Sequence, residues 1–347
     1  MTVRYQLLFS IVALCATLAF ATAAHAQFGL SGSDSALSIT FSPTTPSAGD
    51  TVRLTVQSPL FEMPESIIVW RANGAVIAEG RGVDSASVEV GAVGTETRIS
   101  VTVTQADGAS ASTQATIIPA ELDLLVDSDS YTPPFYRGRP QAGAGTNIRL
   151  QAVPRFRRAG TTFPASELVY TWRRNGEILG SFSGRGKSTA ILPMAHLFGT
   201  DTISVEARSA DGAISHTTSL SFSAAEPILT LYEDHPLYGI LFHRALGAST
   251  FIPETEMTFA AVPFFAQALH AYDPRLNFAW RVNTAEIPTK RTEPNKLTIN
   301  AENSSGVAFI ELGITHATNY YLDAKGAWNV TFSSGAGGGT DLFRTNQ

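Results

Sequence analysis

Histidine, cysteine and carboxylate side chains build most catalytic and metal sites, and their spacing in this chain supports neither. The chain has seven histidines and one cysteine. No two histidines are four positions apart, and no H-E-x-x-H sequence occurs, so a helical metal site is not predicted. The cysteine, Cys15, lies in an apolar N-terminal segment. No G-x-S-x-G nucleophile motif is present. The sequence therefore predicts no enzymatic activity, no catalytic residue and no cofactor.

Three aspartates form the one carboxylate cluster that could bind a cation. Asp123, Asp127 and Asp129 follow one another closely, with Glu121 just before them. Calcium needs several converging oxygens, and junctions between tandem sandwich domains can provide them. The alternative is that these charges line a solvated strand edge. We therefore expect no bound metal, and the three aspartates are the only candidates for a calcium site.

A third group of side chains combines aromatic rings with arginines. These residues lie in two segments, and they are Tyr131, Phe135, Tyr136, Arg137, Arg139, Tyr232, Tyr238 and Arg244. Such side chains can stack on sugars or anchor a protein partner. Alternatively, the two loops fold back and their rings pack over an open sheet edge. Pro-Phe-Tyr at 134–136 resembles Pro-Leu-Tyr at 236–238, which favours a shared structural role.

The elements that position these segments are indicated by an internal repeat. The pattern W-R-x-N begins at Trp70, Trp172 and Trp280, which are 102 and 108 positions apart. An apolar residue stands two positions before each tryptophan, as on one face of a strand. The three tryptophans are therefore predicted to lie in the cores of three related units.

Two further patterns recur in register with the tryptophans. An Ile-Ser-Val strand pattern follows 29 and 31 residues after the first two tryptophans, at 99 and 203. It leads to an Asp-Gly pair at 107–108 and 211–212, whereas Ala-Thr-Asn at 317–319 takes that place in the third copy. Asp-Gly between alternating strands predicts hairpins with type I′ turns. A P-x-F triplet precedes each tryptophan, and in the third copy it is Pro-Phe-Phe at 263–265.

Alternation of apolar and polar residues predicts strands throughout. In the first repeat the predicted strands are 37–41, 51–57, 66–71, 86–90, 98–104 and 111–118. The predicted fold class is all-β, with three tandem antiparallel β-sandwich domains at 35–119, 121–225 and 227–334. Short connectors that contain proline predict a semi-rigid rod.

The central-strand tryptophan followed by an alternating strand and an Asp-Gly hairpin resembles immunoglobulin-like and PKD-like repeats of bacterial surface proteins. No disulfide brackets the tryptophan as in antibody domains, and the Gly-Asp-Gly of PKD domains is absent after it. The layout is also similar to exported bacterial proteins encoded near type IV pilus genes. The resemblance implies a spacer, scaffold or adhesion role at the cell envelope.

The first 26 residues are predicted to be a secretory signal peptide. Arg4 precedes an apolar segment at 7–20, and Ala24-His25-Ala26 fits the cleavage pattern. The apolar segment is too short for a membrane span, which needs roughly 20 residues. Residues 335–347 are predicted to form a Gly-rich flexible tail. The expected location is periplasmic, extracellular or at the cell surface.

The net charge of the chain limits the classes of partner that we expect. The net charge of −6 gives no reason to expect nucleic acid. The predicted partner is therefore a protein or glycan at the cell envelope. The leading interpretation is a non-enzymatic spacer, scaffold or adhesion module, and the alternative is a carbohydrate- or protein-binding module that uses the arginine and aromatic loops.

Overall fold

The computed structural model describes residues 36–194, 199–252, 256–300 and 306–332. The predicted signal peptide and the Gly-rich tail lie outside these residues. Strands dominate the described residues, and the helical segments there are two 3₁₀ turns, Met63–Glu65 and Ala165–Glu167. No helix in this part of the chain is long and apolar enough to cross a membrane.

The first unit contains seven strands. They are β1 (Ser38–Ser42), β2 (Thr51–Gln57), β3 (Ile67–Ala72), β4 (Ala75–Arg81), β5 (Ser85–Glu89), β6 (Thr97–Thr104) and β7 (Ser110–Ile117). All six predicted strands are present, each within one residue at either end. The sequence prediction missed β4, an edge strand with an irregular exposure pattern.

Within the described residues the second unit contains ten strands, four of which are only two residues long. They are β8 (Glu121–Ser128), β9 (Asn147–Arg155), β10 (Arg157–Arg158), β11 (Thr161–Thr162), β12 (Val169–Arg174), β13 (Glu177–Ile178), β14 (Gly184–Arg185), β15 (Thr189–Pro193), β16 (Asp201–Arg208) and β17 (Ser215–Phe222).

The third unit contains nine strands. They are β18 (Ile228–His235), β19 (Gly239–Ala245), β20 (Ser249–Ile252), β21 (Glu256–Phe264), β22 (Leu276–Val282), β23 (Ala285–Ile287), β24 (Lys296–Asn300), β25 (Gly306–His316) and β26 (Asp323–Phe332). The strands of each unit fall within the predicted domain limits, while those limits themselves stay a prediction.

Each unit has two main sheets whose shared strands have the same order, and in the second unit β10 and β11 pair separately with each other. In the first unit β1-β2-β5 forms one sheet and β4-β3-β6-β7 the other. The second unit repeats this as β8-β9-β15 and β13-β12-β16-β17, and β14 also pairs with β12. The third unit adds one strand to each sheet, giving β19-β18-β21-β24 and β20-β26-β25-β22-β23. The fold is thus a tandem array of β-sandwiches. Among the strands of the described residues every pair is antiparallel except β20 with β26.

A separate cluster of buried apolar residues forms the core of each unit. The clusters contain Trp70, Trp172 and Trp280 respectively, each at most 1% exposed. Each indole N–H donates to a backbone carbonyl 13 to 15 residues later, at 2.9–3.0 Å. The buried donor is therefore satisfied, and the ring holds the chain segment after its own strand against the core.

The asparagine of each W-R-x-N pattern also has one structural role. Its N–H donates to, and its Oδ1 accepts from, the same residue of the facing strand, at 2.8–2.9 Å. The pairs are Asn73 with Arg98, Asn175 with Thr202, and Asn283 with Phe309. The side chain thus continues the strand ladder past the point where the chain turns.

The hairpin predictions were right in position and wrong in turn type. Asp107 has no positive φ, while Gly108 has φ +88°. The Gly108 N–H donates to the Gln105 carbonyl at 3.0 Å, and the Asp107 carboxylate accepts the Ala109 N–H at 2.9 Å. This is a type I turn followed by a left-handed glycine, because aspartate supplies a side-chain acceptor and only the glycine needs positive φ.

Type I′ geometry occurs instead directly after each central strand. Asn73 and Gly74 have φ of 49° and 86°, and Asn175-Gly176 repeats these values closely. In the third unit Asn283 is followed by Thr284 at φ 72°. A β-branched residue is disfavoured in this region, so the third turn is strained relative to the others.

Replacing Thr284 with glycine is expected to stabilise the third unit by about 1 kcal/mol, because the left-handed strain is removed. The reciprocal change, Gly74→Thr, is expected to destabilise the first unit by a similar amount, since a Cβ at Gly74 meets no atom within 4 Å and only its φ matters. Denaturant unfolding with hydrogen exchange resolved by unit measures both. An unchanged or lower stability for Thr284→Gly would contradict the strain.

Candidate functional site

The two segments rich in aromatics and arginine meet in one cleft. It lies between the loop that joins β8 to β9 in the second unit and the β18–β19 hairpin of the third, with a volume of about 610 Å³. The lining residues are Pro133, Pro134, Phe135, Tyr136, Arg137, Tyr232, Tyr238, Ile240, Leu241, Phe242, His243 and Phe264. We call this the junction cleft.

Backbone hydrogen bonds hold the second unit's loop against the third unit. The Tyr131 N–H donates to the Ala266 carbonyl at 2.9 Å, and the Phe265 N–H donates to the Tyr131 carbonyl at 2.7 Å. The Tyr131 ring packs against the core of the third unit. Burial raises the pKa of its hydroxyl, and nearby Tyr232 and Tyr272 raise it further. Tyr131 is thus a docking residue, and the loop packs on its neighbour rather than on its own sheet edge.

Tyr136 forms one wall of the cleft. Its ring meets Phe264 edge-to-face, with centroids 5.7 Å apart, and Phe265 in the same way at 5.9 Å. It also lies over Gly138, where any Cβ would collide with the tyrosine ring. The P-x-F triplet of the third repeat therefore supports the aromatic loop of the second.

The β18–β19 hairpin forms the opposite wall. The Tyr232 and Phe242 rings are 5.5 Å apart, and His235 stacks on Tyr238 at 4.7 Å. Tyr238 remains 76% exposed and Phe135 92% exposed. Rings this exposed add little to folding, because most of their surface stays in water. They are available for a ligand.

The charges around the cleft are uncompensated. Arg137 lines it, and Arg139 and Arg244 are exposed on the same two segments. Within the described ranges these three guanidinium groups have no ion pair. By contrast, Arg155 binds Glu121 and Asp123, and Arg158 binds Glu96 at 3.2 Å across the first junction. Arg155 and Arg158 are therefore structural, whereas the three arginines at the cleft have no carboxylate partner among the described residues.

The eight residues predicted for binding loops divide unequally. Five line the cleft: Phe135, Tyr136, Arg137, Tyr232 and Tyr238. Tyr131 docks the loop beneath it, while Arg139 and Arg244 are exposed close by in sequence. The prediction missed the apolar strand residues Ile240 and Leu241. The apolar run Ile240-Leu241-Phe242 directly after Gly239 could have indicated a strand there.

The calcium candidates do not converge. Asp123 and Asp127 are four residues apart on β8, about 13 Å along a strand. Asp123 is paired with Arg155 at 2.5 Å, and Asp129 accepts two hydrogen bonds from Asn147 at 2.6 and 2.7 Å. In the portion of the chain that the structure covers, no three His, Cys, Asp or Glu residues are grouped to hold a metal ion.

The Gly143 backbone packs between the last residue of the second unit and the Phe265 carbonyl of the third unit. Gly143 forms a parallel bridge with Ala225, and the Ala225 N–H donates to the Ala142 carbonyl at 2.8 Å. A Cβ at Gly143 would lie 2.5 Å from the Phe265 carbonyl oxygen. The Asn319 amide also donates to the Ala144 carbonyl at 2.7 Å. Only glycine allows this approach of two backbones.

Replacing Gly143 with alanine is expected to destabilise this junction by about 1–3 kcal/mol through overpacking. Faster exchange of the Tyr131 and Phe265 amide protons is the measurement. Gly180→Ala is the matched control, because a Cβ there meets no atom within 4 Å. Equal exchange in both variants would show that the close approach does not maintain the junction.

No known family profile matches the chain, and no relative is found among curated proteins. Several of the solved structures that match are tandem domain arrays. The fibronectin(III)-like modules of Clostridium thermocellum CbhA are 15% identical, with 54% of this chain and 94% of theirs covered and a TM-score of 0.26. The central fibronectin-III array of RIM-binding protein is 11% identical, covering 85% and 98%, at a TM-score of 0.28.

Immunoglobulin domains 1–4 of Sidekick-1 are also 11% identical, covering 86% of this chain and 75% of theirs, at a TM-score of 0.20. At such TM-scores these similarities say nothing about ligand or activity. The sheets described above, and not these similarities, make this chain a tandem array of immunoglobulin-like β-sandwiches.

Proposed function

We propose that this chain is an exported, non-catalytic binding protein of the cell envelope, and that its ligand binds in the junction cleft. The observation that carries the proposal is the convergence of two separate loops. Exposed rings from both units, and an arginine that has no ion pair among the described residues, line one cavity of about 610 Å³. Binding sites commonly lie at such domain junctions, with rings and arginines as anchors.

The ligand-binding proposal is tested by a double substitution. Tyr136→Ala with Arg137→Ala removes one wall of the cleft and its lining charge, while the docking residue Tyr131 stays. Binding of purified protein to envelope polysaccharide and protein fractions is expected to fall at least tenfold, as for the loss of an aromatic and arginine anchor pair. Tyr320→Ala is the control, because that ring is 93% exposed and does not line the cleft. Equal binding by both variants would overturn the proposal.

Export is the second part of the proposal. It is supported by Arg4, the apolar segment at 7–20 and the Ala24-His25-Ala26 sequence. Cell fractionation and N-terminal sequencing test it, with Gln27 expected as the first residue of the mature chain. A cytoplasmic, unprocessed chain would contradict it. Association with a pilus belongs to this proposal as one possible envelope location, and cross-linking in cells identifies what the chain contacts.

A spacer or scaffold is the second candidate function, favoured by the tight junctions. The connector between the first two units is buried, and the Gly94 N–H donates to the Pro119 carbonyl at 3.0 Å. A spacer needs this rigidity and does not need the cleft. If Gly143→Ala abolished the function of the chain in cells and the double variant at Tyr136 and Arg137 did not, the result would favour the spacer over the binding protein.

A further inference from the structure

We infer that the junction cleft binds an acidic polysaccharide, one whose sugar rings carry carboxylates. This inference rests on the proposed function and names the ligand class. It follows from the charges and rings that the two loops bring together.

The charges at the cleft favour an acidic ligand. The chain has a net charge of −6, yet Arg137, Arg139 and Arg244 stand exposed without an ion pair in the described residues. On β18, Asp234 alternates onto the face of Tyr232 and is bound to Lys296 at 2.8 Å, whereas Glu233 alternates onto the other face. No Asp or Glu is among the lining residues of the cleft. The cleft is therefore a local positive region on an acidic protein. A guanidinium group recognises a carboxylate through two parallel hydrogen bonds.

The aromatic rings of the cleft favour a sugar as the ligand. Tyr136 and Tyr238 belong to opposite walls, and both are exposed. The faces of aromatic rings carry partial negative charge, so they contact the polarised C–H groups of a sugar face. The tyrosine hydroxyls can donate to and accept from sugar hydroxyls. A sugar that also carries a carboxylate uses both features of the cleft, whereas a neutral sugar leaves the arginine unused.

Titration calorimetry with the mature chain, residues 27–347, tests the inference with three polymers. The probes are polygalacturonate, its methyl ester as the uncharged counterpart, and poly-L-glutamate as an acidic peptide. Polygalacturonate is expected to bind best and to bind more weakly as salt is added. The methyl ester and poly-L-glutamate are each expected to bind at least tenfold more weakly.

Arg137→Gln is expected to weaken polygalacturonate binding about tenfold, in line with the loss of a charge-assisted hydrogen bond. Arg185→Gln is the matched control, since Arg185 is exposed and lies on β14 away from the cleft. Equal binding of the methyl ester, with Arg137→Gln unchanged, would overturn the acidic class. If Tyr136→Ala still abolished that binding, the proposed function would survive.

Two other outcomes would also overturn the inference. Binding of poly-L-glutamate at the affinity of polygalacturonate, with the same dependence on Arg137, would make the ligand an acidic peptide. No binding of any of the three by the folded chain would exclude the acidic polysaccharide. If the chain then still bound envelope fractions in a way that depends on Tyr136, the cleft would remain a binding site and only the ligand class would be wrong.

Discussion

Replacing Trp172 with alanine is expected to destabilise the second unit by about 3–5 kcal/mol, because a fully buried ring leaves a large cavity. The ring is completely buried, and its indole N–H donates to the Lys187 carbonyl at 2.9 Å. The core cluster around Trp172 is separate from those of the other units. Hydrogen exchange measured by mass spectrometry should therefore show the loss mainly in residues of that cluster.

Trp172→Phe separates the two contributions of the indole. Phenylalanine keeps much of the apolar area but leaves the Lys187 carbonyl without its donor, which costs about 1–3 kcal/mol. The phenylalanine variant should therefore be clearly more stable than the alanine variant. Equal loss in both would mean that the hydrogen bond, not the ring volume, dominates. Simultaneous unfolding of all three units in Trp172→Ala would show that the cores are not independent.

The strands and the repeat could be predicted because both are written in local patterns. Alternation placed the strands of the first unit within one residue, and period-two spacing assigned Ile68 to the face of Trp70, where both are fully buried. The strand β4 was missed because its exposed positions do not alternate cleanly. Its signal was the Asn73-Gly74 pair, which closes a type I′ hairpin.

The cleft could be predicted only in part. Composition identified the segments at 131–139 and 232–244, but nothing in a local pattern indicates that they meet. Their meeting depends on hydrogen bonds of Tyr131 with Phe265 and Ala266, more than 130 positions away. The same limit applies to the arginines, because Arg155 and Arg137 each stand next to an aromatic residue in the sequence. Only the fold shows that the first has carboxylate partners and the second has none in the described part of the chain.

The loop at 266–275 matters to the cleft because it carries the acceptor for Tyr131, and one buried carboxylate organises it. Asp273 has a side chain only 2% exposed, and it forms a two-pronged ion pair with Arg275, with distances of 2.7 and 3.0 Å. It also accepts the backbone N–H of Leu269 at 2.8 Å and of Arg275 at 2.9 Å. The Asp-Pro pair at 273–274 is typical of the start of a turn and could have indicated this loop from the sequence.

Replacing Asp273 with asparagine is expected to destabilise the third unit by about 3 kcal/mol at pH 7, because it removes the charge from a nearly buried group that accepts four hydrogen bonds. The Arg275 guanidinium holds the pKa of the Asp273 carboxyl well below its usual value. A carboxyl whose pKa is lower in the folded state stabilises the fold above its unfolded pKa, about 4, and loses that contribution as pH falls towards the folded pKa.

The difference in unfolding free energy between the parent chain and Asp273→Asn should therefore be largest near neutral pH and shrink below about pH 4. Asp107→Asn is the matched control, because Asp107 accepts one backbone N–H in an exposed turn. A pH-independent difference would mean that Asp273 acts through shape alone.

Because the loop also presents Ala266 to Tyr131, the same variant should loosen the junction and weaken ligand binding without touching any residue of the cleft. Intact binding in a destabilised Asp273→Asn chain would show that the cleft does not depend on this loop.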